Sequence, residues 1–194
     1  MKTRRYRQQR RKESTEETRR RIVDATVELH ATVGPARTTI QAIAKRAGVQ
    51  RLTVYRHLPD ETALFNACSS RYLEQNPFPD PSAWQHLGEA GDRTRTALTA
   101  LYAFYRRTQG IWRNAYRDAH DMPALQAVLA DVQRGLDALR DDLLKAWRPA
   151  RAVRAEMLAV LGHAVHFSCW DALQAAGLSD AEIAGTVEKW LRAL

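Results

Sequence analysis

Apolar side chains recur at intervals of three and four residues along most of the chain, which is the spacing of one face of an α-helix. The first such face consists of Thr18, Ile22, Ala25, Leu29 and Val33. Ser14 and Glu17 precede it with the spacing of a capping box, and Gly34 follows it. The pattern therefore predicts a first helix that begins near Ser14 and ends before Gly34.

Two shorter helical segments come next. Thr38, with Gln41 three residues later, is the predicted cap of the second helix, and Gly48 suits a left-handed turn after it. The third segment, "QRLTVYRHL" at residues 50–58, has two apolar residues four positions apart that can be buried, namely Val54 and Leu58. The residues that this arrangement leaves facing outward are Arg51, Leu52, Thr53, Arg56 and His57.

The rest of the chain continues the helical pattern, and no segment has the alternation of a strand. Asp60 is a predicted cap for a fourth helix, and Asp121 for a long helix further on. Between them, "NPFPDPSAW" at residues 76–84 has three prolines in five residues and is either a linker or an ordered loop. Residues 150–177 are expected to form one helix, and a capping box of Ser179 with Glu182 begins the last one. The predicted fold class is all-α.

Charge is distributed unevenly. Residues 1–58 contain 15 Lys and Arg against 5 Asp and Glu, whereas residues 59–194 contain 15 against 17. The first part therefore carries a net charge of +10 and the second of −2, although the whole chain has +8. Such asymmetry points to a nucleic acid or an anionic membrane as the partner of one end only. A solvated basic tail would explain residues 1–12, but not the basic residues within the predicted helices.

Two short helices joined by a glycine-containing turn form a helix-turn-helix, whose second helix fits the major groove of DNA. Arginine suits guanine, and apolar carbons or a threonine methyl group suit the methyl group of thymine. Tyrosine, threonine and histidine can hold phosphates. The outward side chains of residues 50–58 therefore favour DNA binding, although short helix-turn pairs also occur in protein cores.

The segment "TTIQAIAKRAGVQRLTVYRHLPDETALF", residues 38–65, resembles the DNA-binding domain of the TetR family, the tetracycline-repressor-like regulators. The likeness is close over residues 14–70, and beyond them it extends only to helix order and length. It implies a basic flexible arm at residues 1–13, a three-helix DNA-binding domain at 14–59 and a larger helical ligand-binding and dimerisation domain at 60–194.

The resemblance also implies roles for individual residues. Arg51, Leu52, Thr53 and Arg56 would face bases, and Thr39, Tyr55 and His57 would hold phosphates. Two residues depart from the family pattern. Gln50 stands where a capping Ser is common, and Glu61 stands where a phosphate-binding Lys is common, so the resemblance implies no phosphate contact at Glu61.

The carboxy-terminal part offers weak signs of chemistry. His163, His166 and Cys169 lie at steps of three and would share a helix face, but a metal site would need further ligands nearby. No phosphate loop, nucleophile elbow or paired-cysteine site occurs, so neither a metal nor a cofactor is predicted. We expect a regulator and not an enzyme. The alternative is a helical enzyme or small-molecule carrier that retains the fold, which would not need a basic amino-terminal third.

The resemblance implies an apolar ligand pocket between the carboxy-terminal helices, and pockets are lined by aromatics with a few polar groups, although most aromatic residues of this part are expected to lie in the core. The candidate ligand-binding residues are Tyr102, Tyr105, Trp112, His163 and His166. We expect a repressor that a small apolar or aromatic ligand releases from DNA. The helix from Asp60 to about Tyr72 is the expected moving part, because it alone is expected to join the two domains.

The expected assembly is a homodimer through residues 151–194, which would bind a pseudo-palindromic operator in double-stranded DNA. No apolar run reaches the roughly 20 residues that span a membrane, and the basic start lacks the apolar stretch of a signal peptide. A cytoplasmic protein without a membrane partner is therefore expected, with Cys68 and Cys169 as reduced, buried thiols.

Overall fold

The computed structural model describes residues 2–194, with side chains from residue 6 onward. Over that range the chain forms ten α-helices and two short 3₁₀-helices and contains no strand, which confirms the all-α prediction. The α-helices are α1 (Lys2–Thr32), α2 (Ile40–Ala47), α3 (Arg51–His57), α4 (Glu61–Gln75), α5 (Ser82–Gln85), α6 (Ala90–Asp118), α7 (Pro123–Trp147), α8 (Arg154–Ala164), α9 (Phe167–Ala175) and α10 (Asp180–Arg192). The 3₁₀-helices are Pro35–Arg37 and Ala119–Asp121.

The helices form two compact units. The first contains the chain up to Gln75 together with Gly110–Val128, and the second contains Asn76–Gln109 and Leu129–Leu194. Helices α6 and α7 thus contribute residues to both units. Helix α4, which the sequence assigned to the second domain, is grouped with the first. The division of labour between a DNA-binding and a ligand-binding domain stays a prediction.

The core of the first unit lies between α1, α2, α3 and α4. Its buried residues are Ile22, Val23, Ala25, Ile43, Ala44, Ala47, Val54, Leu58 and Leu64. The predicted faces of α2 and α3 are confirmed, since Val54 and Leu58 are buried. Val33, which the sequence placed on the buried face of the first helix, follows the end of α1 and is 41% exposed.

The predicted start of α1 at Ser14 is wrong. The helix begins at Lys2, and the main-chain oxygen of Ser14 accepts a hydrogen bond from Thr18 Oγ1 within it. Residues 2–13 therefore belong to a helix, and their flexibility stays a prediction. Continuous helix was missed because the strong local capping signal at Ser14 does not require a helix to begin there.

The second unit is organised around the aromatic side chains of α6. Tyr102 donates a hydrogen bond from its hydroxyl to the Ala164 main-chain oxygen at 2.9 Å, and Tyr105 donates to that of Val165 at 2.7 Å. Phe167 and Trp170 pack against Tyr105, with ring centroids 5.3 and 5.9 Å away. All four rings are buried.

Those two hydrogen bonds fall where the sequence predicted unbroken helix. Helix α8 ends at Ala164 and α9 begins at Phe167, with His166 in extended conformation as the cap of α9. The prediction of one helix over residues 150–177 is therefore wrong, because Tyr102 and Tyr105 occupy carbonyl groups at the break. The capping box of Ser179 and Glu182 is confirmed, whereas Asp121 lies in a 3₁₀-helix and α7 begins at Pro123.

Candidate nucleic-acid interface and a cavity in the second unit

Local backbone chemistry sets the turn between α2 and α3. Gly48 has φ 65° and ψ 39°, the left-handed conformation that suits glycine, and it ends α2. Val49 donates from its main-chain nitrogen to the Ala44 oxygen at 2.9 Å and packs against the core. The turn therefore satisfies the last carbonyl groups of α2 and fixes where α3 begins.

The cap of α2 is Thr39 and not Thr38. Oγ1 of Thr39 accepts a hydrogen bond from the Ala42 main-chain nitrogen at 3.1 Å, whereas Thr38 donates from its hydroxyl to the Gly34 oxygen. The Thr39 hydroxyl still has a proton to donate. Thr39 is exposed at the start of α2, which suits the predicted phosphate contact.

Helix α3 presents the predicted DNA-reading side chains to solvent. Leu52 is 67% exposed and Tyr55 is 45% exposed, although both carry large apolar groups. Arg51 and Arg56 are also exposed, and Thr53 and His57 are half-buried. Gln50 occupies the cap position of α3 but makes no side-chain capping bond there. The structure thus brings all six predicted α3 residues onto one short helix.

The basic side chains of this region differ in whether they are engaged. Arg46 donates to both carboxylate oxygens of Glu28 at 2.9 and 2.6 Å, so its guanidinium already has a partner. Among residues 6–194, neither Arg51 nor Arg56 has a hydrogen bond or an ion pair within the protein. Residues 40–57 include no Asp or Glu. Arg51 and Arg56 are therefore available to a polyanion, whereas Arg46 is engaged.

The end of α6 is hydrogen-bonded to the end of α1 within the first unit. Nδ2 of Asn114 donates to the main-chain oxygens of His30 and Ala31 at 3.0 and 2.9 Å. Arg117 donates to the Val33 oxygen at 3.3 Å, and an Asp118 carboxylate oxygen accepts from the Ala36 nitrogen at 3.1 Å. These bonds satisfy carbonyl groups that the end of a helix leaves unpaired.

The charged side chains beside this junction are paired with each other, since Arg117 donates to Asp118. Gly34 has φ 96°, and a Cβ there would clash with the Arg117 guanidinium, so glycine alone fits. The hydrogen bond from Arg117 holds the pKa of Asp118 below its usual value. Helix α6 is thus bonded to the end of α1 through Asn114 and to the 3₁₀-helix through Asp118, so α4 is not alone in contacting this unit, and α4 as the moving part stays a prediction.

His30 is a buried ionisable group of the first unit. Its ring stacks on Phe65 at 5.2 Å, and its Nδ1 lies 3.4 Å from the Cys68 sulfur. Burial lowers the pKa of His30 from 6.5 to about 4, and raises that of Cys68 to about 12. Both groups are therefore neutral near neutral pH.

The second unit contains a cavity of about 360 Å³. The proline-rich segment and α5 form part of its lining with Phe78, Pro81 and Trp84, while α6 adds Leu101 and α7 adds Gly135 and Asp142. Residues 76–84 are thus an ordered wall and not a free linker. The lining is mainly apolar with few polar groups, and the volume lies at the lower end of the range for small-molecule pockets.

None of the five predicted ligand-binding residues lines this cavity. Tyr102 and Tyr105 are fully buried in the core of the second unit, and Trp112 is buried in the first unit, where it stacks on Tyr116. His163 is exposed, and His166 caps α9 through a hydrogen bond from the Ser168 nitrogen. Phe78, Trp84 and Asp142 line the cavity but were not among the predicted ligand-binding residues. The three prolines beside Phe78 and Trp84 were a signal for those two residues, whereas no local pattern indicated Asp142.

The suggested shared face of His163, His166 and Cys169 does not form, because the helix breaks before His166. Across the described residues, no three His, Cys, Asp or Glu side chains come together in a way that could bind a metal ion. The helices in that same range are all too short or too polar to cross a membrane.

Comparisons with known proteins agree with this architecture. Residues 22–68 match the family model of the bacterial regulatory proteins, tetR family. A TetR-like transcriptional regulator from Rhodococcus sp. RHA1 has the same fold, with a TM-score of 0.62 and 22% identity over 88% of this chain and 91% of its own. The crystal structure of RolR in complex with the ligand resorcinol matches with a TM-score of 0.50 and 19% identity, over 92% of this chain and 89% of its own. No curated protein matches the sequence.

The family match covers α2, the turn, α3 and the start of α4, together with residues 22–32 of α1. This is the part of the chain that exposes Arg51 and Arg56 on a short helix. Helix geometry, charge and the family match thus point to the same segment of the chain. Residues 22–68 are therefore similar to the bacterial regulatory proteins of the tetR family, and the chain shares the fold of a TetR-like transcriptional regulator.

Proposed function

We propose that the protein is a homodimeric repressor that binds a pseudo-palindromic operator and leaves it when a small molecule binds. The observation that carries the DNA-binding part is the pair of exposed arginines without protein partners, Arg51 and Arg56, on α3. Their side chains would read base edges, and Leu52 and Thr53 would contact thymine methyl groups. Thr39, Tyr55 and His57 would hold phosphates on either side.

The operator can be selected from random DNA sequences. Duplexes that the full chain binds in a random-sequence library should converge on two inverted half-sites. Their centres should lie one helical turn or a multiple of it apart, about 34–36 Å per turn. The alternative, a helical enzyme or carrier that retains the fold, predicts no enriched sequence. Enrichment without dyad symmetry would contradict the dimeric arrangement.

The proposed dimer interface lies in residues 151–194. Trp190 on α10 is 43% exposed and Leu194 beyond its end is 40% exposed, although both are large apolar residues. A two-fold interface would bury both residues in each of the two protomers. Sedimentation should give a dimer at micromolar concentration, and Trp190→Glu should give a folded monomer. A monomeric wild-type protein would contradict this assembly.

The amino-terminal arm would add electrostatic attraction to DNA. Residues 1–12 contain seven basic side chains and no acidic one. Each phosphate contact contributes about 0.9 to the slope of log affinity against log salt concentration. Deletion of residues 1–12 should therefore flatten that slope, and an unchanged slope would mean that the arm does not touch DNA.

Ligand release is proposed to act through α6. This continuous helix carries Leu101 at the cavity and Asn114, Arg117 and Asp118 at the end of α1. A ligand releases DNA only if it binds the DNA-incompetent state more tightly. Typical couplings are about 1–3 kcal/mol, or about 5–150-fold in operator affinity. RolR, a protein of similar fold, was crystallised with resorcinol, which supports a small aromatic ligand.

The coupling has a direct test. Asn114→Ala removes the bonds to the His30 and Ala31 oxygens but leaves the cavity lining unchanged. The variant should bind ligand with wild-type affinity and show a smaller ligand-induced loss of operator affinity. Gln126→Ala, which removes bonds to Ala119 and His120 instead, is the matched control. A full response in the Asn114 variant would exclude this route.

The protein is expected to act in the cytoplasm, where the DNA is, and without catalysis.

A further inference from the structure

Two buried polar atoms of residues that line the cavity have no hydrogen-bond partner among the residues that the structure describes. They are Nε1 of Trp84 and Oδ2 of Asp142. The other oxygen of Asp142 accepts from Arg93 Nη2 at 2.5 Å, and Nη1 of Arg93 donates to the Gln85 main-chain oxygen at 3.1 Å. Asp142 is therefore held in place with one carboxylate oxygen unused, and Nε of Arg93 is the third buried side-chain atom without a partner in the described part of the chain.

These two atoms have opposite requirements. An indole N–H can only donate a hydrogen bond, and an ionised carboxylate oxygen can only accept one. Buried polar groups are normally paired, and leaving one unpaired is unfavourable. A hydroxyl group both donates and accepts, so it is the ligand group that matches the requirements of both atoms.

The charges at the cavity favour a neutral ligand. Asp142 is the only charged side chain among the lining residues, and its charge is offset by Arg93. The two side chains are 17% and 24% exposed, so the pair is mostly shielded from water. An anionic ligand would meet the carboxylate without a free cation, and burying an unpaired charge is costly.

The remaining walls suit an apolar ring. Two aromatic residues and two prolines line one part of the cavity, and α7 adds aliphatic side chains and the small residues Gly135 and Ala138. Phe78 is 37% exposed, so the lining reaches solvent at this residue. We infer that the cavity binds a neutral aromatic molecule with a hydroxyl group, which donates to Asp142 Oδ2 and accepts from Trp84 Nε1. This inference rests on the proposed ligand response and specifies its chemistry.

Four compounds that share one ring system test it in the purified full-length protein. Calorimetry should show that 1-naphthol binds about tenfold or more tightly than naphthalene, because naphthalene leaves both polar atoms unpaired. 1-Methoxynaphthalene, which can only accept, should fall between them, and 1-naphthoate should bind most weakly. Equal affinity for naphthol and naphthalene would overturn the inference, and so would the absence of binding by all four.

Asp142→Asn gives a sharper test, because it should invert the preference. The remaining carbonyl oxygen would stay with Arg93, so an amide N–H would replace the unused acceptor. The ligand would then meet two donors, and 1-methoxynaphthalene should bind at least as well as 1-naphthol. A variant that keeps the wild-type order of affinities would overturn the assignment of Asp142.

Gly135→Leu tests the location without disturbing the polar atoms. Gly135 lines the cavity, and a Cβ there would meet no atom within 4 Å. The variant should fold with an unchanged circular dichroism spectrum and lose affinity for every probe. Wild-type affinity for 1-naphthol in this variant would place the binding site elsewhere.

The same compounds separate this inference from the proposed repressor function. Each is added to the complex of the protein with its selected duplex, and operator affinity is measured. If naphthol binds in the expected order without weakening DNA binding, the ligand chemistry stands and the proposed release fails. If no probe binds while a dyad-symmetric operator is selected, the ligand chemistry fails and the DNA-binding proposal stands.

Discussion

The two units of the molecule leave different polar groups without partners. In the first unit, polar groups near the end of α1 are bonded to one another, and the unpartnered groups point outward as Arg51 and Arg56 on α3. In the second unit, most arginines are paired with carboxylates, as Arg106 is with Asp180 and Arg192 with Glu188. Its unpartnered atoms lie inward, on Trp84, Arg93 and Asp142.

This difference indicates what each unit can bind. Outward guanidinium groups without counter-ions attract a polyanion and suit guanine edges and phosphates. Inward donors and acceptors beside an apolar cavity suit one small molecule of complementary shape. The position of unsatisfied polar groups is thus more informative about function than the number of charged residues in each unit.

The largest expected effect concerns the buried His30 of the first unit and the dependence of stability on pH. His30 stays neutral in the folded protein down to a pKa of about 4, whereas the unfolded chain takes up a proton near pH 6.5. The folded state should therefore lose stability as the pH falls from about 6.5 to 4, by about 3 kcal/mol at most, and no further below. Urea unfolding measured at several pH values checks this.

His30→Gln should remove that part of the pH dependence. Burial also lowers the pKa of His166, which acts in the same direction, so the difference between variant and wild type isolates His30. Carboxylates whose pKa is lowered, such as Asp118, act at lower pH, where they become protonated. An identical pH profile in the variant would contradict the buried, neutral state of His30.

The second prediction concerns the pairing of arginines in the second unit. Arg93→Met leaves Asp142 mostly buried without its cation and should lower the free energy of unfolding by about 2–3 kcal/mol. Arg46→Met breaks an exposed pair with Glu28 and should cost about 1 kcal/mol or less. Denaturant unfolding of both variants gives the comparison. Equal losses would mean that burial does not distinguish the two pairs.

The third prediction concerns the outward arginines. Arg51→Ala and Arg56→Ala should each weaken operator binding by about 1–3 kcal/mol and relax specificity at one base position. Neither should change the unfolding free energy, because neither side chain has a partner in the protein. Arg46→Ala is the matched control and should affect DNA binding less, since its guanidinium is bound to Glu28.

Tyr55→Phe distinguishes base reading from phosphate holding. It should weaken binding to all sequences alike, because its hydroxyl is assigned to a phosphate. Competition binding with single-base variants of the operator provides the measurement. If the arginine variants also lose affinity uniformly, Arg51 and Arg56 hold phosphates and do not read bases.

The smallest effect concerns the start of α3. Gln50 has an extended backbone with φ −82° and ψ 151°, as a helix cap does, but its side chain makes no capping bond. Gln50→Ser should raise stability by about 0.5–1 kcal/mol. Thr39→Ala, which removes the existing cap of α2, should lower it by about 0.5–2 kcal/mol. Thermal unfolding of both variants checks the sign, and a loss in the serine variant would contradict it.

The amino-acid sequence was sufficient to predict the helical class, the positions of α2 and α3 and the outward residues of α3. These features depend on local rules: a glycine at a left-handed turn, a capping residue at the start of a helix, and apolar residues three or four positions apart. The exposure of Arg51 and Arg56 follows from the burial of Val54 and Leu58 on the same short helix. A local pattern can determine such a surface because one helix carries all of it.

The tertiary structure alone decided the break before α9, the bonds from Asn114 to α1 and the cavity. Tyr102 and Ala164 lie 62 positions apart, and Asn114 and His30 lie 84 apart, so no local pattern relates them. The cavity depends on side chains from the proline-rich segment, α6 and α7, whose contact requires the packed second unit. Local spacing determines which face a side chain occupies, but long-range packing determines what that face meets, which is why the reading helix could be predicted and the cavity could not.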